Sequence, residues 1–139
     1  MKLFLIILVA AVLLAFGYQL TQAGGQTSGD PAVKTAAMKV YGDTGKASKG
    51  WALIEDGALL IDVRSVSEFE SGHIEGSLNI VHSDIKGLSQ AIGEDKNRPV
   101  VLYCRSGRRV GRAIEVLEAM GYTGLFNATG YTALEATRP

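Results

Sequence analysis

Residues 100–113 read VVLYCRSGRRVGRA, and that stretch decides the fold. Val100 to Tyr103 are consecutive apolar β-formers, the pattern of a short strand buried on both faces. The run ends directly in Cys104, and Gly107 then allows the chain to turn. From Arg108 the apolar residues change period: Val110, Ala113, Ile114, Leu117 and Met120 share one helical face, and Gly121 supplies the stop. Strand, sharp loop and helix follow one another without a spacer.

The same alternation extends in both directions. Ala58 to Val63 is another continuous apolar run of strand length, ending among Asp62 and Arg64. Ser67 opens a turn of helix that contains Glu68 and Phe69 and stops at Gly72. Leu78 to Val81 forms a second short strand, and Ser83 caps a helix from Asp84 to Ile92. Beyond the central unit, Leu125 to Asn127 forms a last strand. Upstream, Ser48 caps a short helix through Asp56, with Trp51, Leu53 and Ile54 apolar. Strands and helices alternating at these lengths predict an α/β domain with a small, mostly parallel sheet flanked by helices.

The N-terminus has a different composition. Lys2 precedes an uncharged apolar block from Leu3 to Phe16, closed by Thr21-Gln22-Ala23, which reads as a secretory signal peptide over residues 1–23. Extending the block to Leu20 reaches the length of a membrane span, so an uncleaved anchor is the other reading. Either places the rest of the chain across the membrane, in the periplasm or otherwise exported. Residues 24–47, including GGQTSGDP, read as a linker, and residues 48–139 as the domain.

Composition excludes several classes. One cysteine permits no internal disulfide, no CxxC redox pair and no thiolate-rich zinc site. Fourteen basic residues against fourteen acidic ones lack the basic excess of a nucleic-acid binder. The 47% hydrophobic content is inflated by the leader. Without it, the proportion is ordinary for a soluble domain.

The chemistry concentrates at Cys104. A loop entering a helix turns its backbone N–H groups toward one point, where an anion or thiolate is stabilised. Arg105, Arg108 and Arg109 crowd the same loop, so fixed charge and helix dipole both favour the thiolate. Positive charge clustered at the positive end of a helix calls for an anionic ligand.

These residues carry a family resemblance. IDVRSVSEFESGHIEGSLNI at 61–80, VLYCRSGRRV at 101–110 and EAMGYTGLFNATG at 118–130 occur in the order found in single-domain rhodaneses, the thiosulfate sulfurtransferases. The resemblance covers residues 48–134. It implies a five-stranded parallel sheet flanked by helices, and a Cys104 that carries a persulfide between a small anionic sulfur donor and a thiol or cyanide acceptor. It also implies that Arg105, Ser106, Gly107, Arg108 and Arg109 form the substrate loop, supported by Asp62 and Arg64, with no metal or organic cofactor. His73 and His82 are not needed as bases once the thiolate has formed. Glu68, Phe69, Trp51 and the methionines read as helix surface or core. Two places depart from the family pattern: Ser77, where alanine is usual, and Asn127 to Tyr131, where a second glycine is often found.

Two other classes compete. A cysteine phosphatase or arsenate reductase places an arginine at the sixth position after the cysteine, where this chain has Val110. A non-enzymatic persulfide carrier or binding module would show the same loop. The sequence names neither the physiological donor nor the acceptor, and it does not give an oligomeric state. Membrane contact follows only if the leader is retained.

Overall fold

The computed structural model describes residues 39–139, so the expected leader and most of the expected linker lie outside the described residues. The first element is α1, Thr44–Glu55, and its cap is Asp43, whose carboxylate accepts the Lys46 N–H at 3.1 Å. This corrects two expectations. The linker reading fails at its C-terminal end, and Ser48 is not a cap: it lies inside the helix, its hydroxyl donating to the Thr44 carbonyl.

Then follow β1 (Leu59–Asp62), α2 (Val66–Glu70), β2 (Leu78–Asn79), α3 (Ile85–Ile92), β3 (Val100–Cys104), α4 (Arg108–Ala119), β4 (Leu125–Gly130) and α5 (Tyr131–Ala136). Two caps sit one or two residues from where the sequence put them. Ser65, not Ser67, caps α2 through a reciprocal box with Glu68, and Asp84, not Ser83, caps α3. Helix α5 has no counterpart in the sequence reading.

The strands form one parallel sheet in the order β2-β1-β3-β4. Four strands are found among the described residues, where the family resemblance implied five. Side chains alternate across the sheet, which gives it two cores. Val100, Leu102 and Cys104 of β3 face Leu88, Ile92, Val110, Ala113 and Leu117 from α3 and α4. Val101 and Tyr103 face Ala47, Ala133 and Leu134 from α1 and α5. Trp51 ties these last two helices together, its indole N–H donating to the Leu134 carbonyl at 2.9 Å. Met120, expected on the buried face of α4, is exposed because the helix ends at Ala119.

Candidate active site

Strand β3 delivers Cys104 to the C-terminal edge of the sheet, 1% exposed, and the chain turns into α4 within three residues. Gly107 makes the turn. Its φ of 88° is the left-handed conformation that glycine adopts without a Cβ penalty, and an added Cβ would press on Asn127 and Thr129 at 3.1 Å. The turn aims the Gly107 N–H at the sulfur, donating to Cys104 Sγ at 3.1 Å. The sulfur therefore lies at the N-terminal end of a twelve-residue helix, where negative charge is favoured.

Asn127 holds this turn in place. Its Nδ2 donates to the Gly107 carbonyl at 3.0 Å, and its Oδ1 accepts the Thr129 N–H at 2.9 Å. Thr129 has a φ of 69°, a strained value for a β-branched residue, in the segment where the family pattern often has a second glycine. Its hydroxyl is engaged on both sides, accepting from the Asp43 N–H at 3.1 Å and donating to the Asp43 carbonyl at 3.2 Å. Thr129 thus fastens the start of α1 beside the cysteine loop. Sequence reasoning missed Asn127, whose role depends on a contact with a residue twenty positions away.

The three arginines of the loop separate. Arg105 and Arg108 are exposed, as is Ser106. Arg109 turns toward α2, where its two terminal nitrogens meet the two oxygens of Glu68 at 2.7 Å each. Glu68 also accepts the backbone N–H and hydroxyl of Ser65. Those bonds, the one to Arg109 foremost, hold its carboxyl at about 2, below the ordinary 4.5. The Arg109 guanidinium is held above its usual value, first by Glu68 and in smaller part by Cys104. Glu68 is therefore part of the site, not merely helix surface or core. The capping-box spacing Ser65-x-x-Glu68 was the local signal available for its position, though nothing local named Arg109 as its partner.

Asp62 and Arg64 form a buried pair. Arg64 donates to both Asp62 oxygens, the shortest bond being 2.6 Å, and to the Gly72 carbonyl at 2.6 Å. Its guanidinium lies 4.5 Å from the centre of the Tyr131 ring. Burial works against the Arg64 charge, yet Asp62 outweighs it and the net shift is upward. Among the described residues neither side chain hydrogen-bonds to residues 104–109. The pair fixes the end of α2 at Gly72, and α2 carries Glu68 to Arg109, so its support of the loop is indirect.

Of the other marked residues, His82 has a buried Nδ1 without a hydrogen-bond partner among the described residues, while His73 and Ser77 have structural partners. His73 stacks on Phe69 with ring centres 3.7 Å apart, and its Nδ1 is 3.0 Å from the Phe69 carbonyl. The Ser77 hydroxyl donates to the Ile74 carbonyl at 2.6 Å and lies 3.0 Å from the Tyr103 hydroxyl, which accepts the Ile74 N–H. Serine in place of the usual alanine thus gives the buried Tyr103 hydroxyl a partner. Val110, where a phosphatase would carry its arginine, is fully buried in the core. Among the described residues no group of three or more His, Cys, Asp or Glu is placed to hold a metal ion.

A cavity of about 290 Å³ opens beside the loop, lined by Tyr41, Arg64, Glu68, Arg105, Tyr131 and Thr132. Residues 46–136 match the family model of the rhodanese-like domain. The chain belongs to the rhodanese-like family. It is 40% identical over 70 residues to the thiosulfate sulfurtransferase PspE of Escherichia coli, a match covering 50% of this chain and 67% of that one. Among solved structures it is similar to a rhodanese with anions from E. coli, at 37% identity and a TM-score of 0.51 over 55% of this chain and 91% of that one. It is also similar to the human single-domain sulfurtransferase TSTD1, at 28% identity and a TM-score of 0.54 over 66% and 92%. These relatives support the rhodanese enzyme class and the fold expected from the sequence.

Proposed function

We propose that this rhodanese moves sulfane sulfur from thiosulfate, or a related small anionic donor, to a thiol or cyanide acceptor through a persulfide on Cys104. The observation that carries the reading is the Gly107 N–H donating to Cys104 Sγ at the start of α4. A thiolate there attacks the outer sulfur of thiosulfate. The new S–S bond forms as the bond to the sulfonate sulfur breaks, and sulfite leaves with the electron pair. The Gly107 N–H and the start of α4, which face Sγ, then face the persulfide anion. Arg105 and Arg108, unpaired among the described residues, are the cations available to the incoming donor. Arg109, tied to Glu68, acts from the side of the sulfur.

Treatment with thiosulfate should add about 32 Da to the wild type and nothing to Cys104→Ser, since a hydroxyl holds no transferable sulfur. An adduct on the Ser variant would place the chemistry elsewhere. Steady turnover with cyanide separates an enzyme from a passive persulfide carrier, which would load once and stop.

The leader reading makes the protein exported. An alkaline phosphatase fused after residue 30 should be active if that is so, and a stable but inactive fusion would refute it.

A further inference from the structure

The cavity beside the cysteine loop has a composition that thiosulfate and cyanide do not require. Three of its lining side chains are charged, and two are neutralised within the protein: Arg64 by Asp62 and Glu68 by Arg109. Arg105 forms no ion pair among the described residues. Its guanidinium lies 4.9 Å from the centre of the Tyr41 ring, while Tyr131 supplies a second aromatic wall. The cavity thus offers one uncompensated positive charge between two aromatic surfaces. That combination suits a small organic anion with an apolar stem.

Tyr41 belongs to the segment that the sequence reading treated as linker, yet it is anchored. Its N–H donates to Thr132 Oγ1 at 2.7 Å, and Asp43 two residues on is clasped by the Thr129 hydroxyl. The wall is therefore built by a segment preceding α1 and held by the two threonines at the end of β4 and the start of α5.

Building on the sulfur-transfer reading above, we propose that this cavity is the acceptor subsite, that it selects small thiols bearing a carboxylate, and that Tyr41 is a specificity-determining residue. The acceptor's carboxylate meets Arg105 while its stem lies along the Tyr41 ring. Its thiol loses a proton to solvent, and the thiolate attacks the outer sulfur of the Cys104 persulfide. A new S–S bond forms on the acceptor, the bond from that sulfur to Sγ breaks, and the electron pair returns to Sγ as the thiolate. The acceptor leaves as a persulfide anion.

The test uses the protein purified in the form the cell produces, with saturating thiosulfate and four acceptors: 3-mercaptopropionate, 2-mercaptoethanol, cysteamine and cyanide. With kcat/KM referred to thiolate concentration, the carboxylate thiol should lead the neutral one and the cationic one should come last. Tyr41→Ala should lower kcat/KM for 3-mercaptopropionate roughly fourfold, about the value of burying one methylene of its stem. Its persulfide formation and cyanide turnover should stay within about twofold, and Tyr41→Phe should behave as wild type, because the ring and not the hydroxyl forms the wall. Equal use of the three thiols, or a Tyr41→Ala loss shared equally by cyanide, would overturn the proposal. If the wild type forms no persulfide at all, the sulfur-transfer reading itself fails, a result distinct from a persulfide that discharges without regard to acceptor charge.

Discussion

Two arginine–carboxylate pairs flank the cysteine loop, and they differ in what surrounds them. In the Asp62–Arg64 pair the side chains are 0% and 6% exposed, whereas in Glu68–Arg109 they are 33% and 25% exposed. The buried pair is two residues apart in sequence and spends its remaining hydrogen bond on the Gly72 carbonyl. The half-exposed pair spans 41 residues and joins α2 to the helix that begins at the cysteine loop. A buried pair is retained because separating it strands a charge in the core. A solvated pair adds little stability, so its value lies in where it holds the guanidinium. The two pairs should therefore fail in different ways.

The largest effect is expected from the buried pair. Asp62→Ala leaves Arg64 buried with only the Gly72 carbonyl and the aromatic rings for company. It should destabilise the domain by about 3–5 kcal/mol. Urea denaturation with an unchanged m-value checks this. A loss below about 1 kcal/mol would mean that the pair behaves as though solvated, and the contrast would collapse.

The half-exposed pair should show in catalysis before it shows in stability. Glu68→Gln keeps an acceptor for Arg109 but removes the charge that fixes the guanidinium beside Cys104. Loss of one charge-assisted bond should lower kcat/KM for thiosulfate roughly tenfold, while the denaturation midpoint moves by no more than about 1 kcal/mol equivalent. Arg109→Lys should resemble it, since an ammonium cannot make the paired contact. Unchanged kinetics in both variants would show that the thiosulfate step does not depend on Arg109.

The two pairs were not equally legible in the sequence. Asp62 and Arg64 lie in one motif and were read as supporting the loop, and the strand–loop–helix around Cys104 could be read from an apolar run followed by a change of period. Glu68–Arg109 was not legible, because an exposed-looking glutamate on a short helix gives no sign of a partner 41 residues away. Helix α1 was read from Ser48 onward, but its first turn was hidden for another reason: Gly45, Lys46 and Ser48 have the composition of a loop, and glycine weakens a helix by about 1 kcal/mol. Packing overrides that tendency. Gly50 is buried against β4, where an added Cβ would come within 2.8 Å of the Ala128 methyl, so the helix needs the absence of a side chain there. The same oversight concealed Tyr41, which precedes that helix and closes the cavity.

The smallest expected effect is a pH dependence that belongs to one pair. Glu68 titrates at about 2 in the folded protein against an ordinary 4.5. A carboxylate whose value is depressed by folding contributes stability that is fully present above its unfolded value and lost as pH falls through the folded one. Wild-type stability should therefore decline from about pH 5 toward pH 2, and Glu68→Gln should decline less over the same interval. Because the carboxylate is one-third exposed, solvent screens it and the difference should be modest. Above about pH 5 Glu68 is fully ionised, so Arg109 stays held and no limb of the rate profile there should change in Glu68→Gln beyond a uniform lowering. A rate-profile limb near neutrality that disappears with Glu68→Gln would show that the carboxylate takes up a proton during turnover, and the pair would then be a titrating part of the mechanism and not a fixed brace.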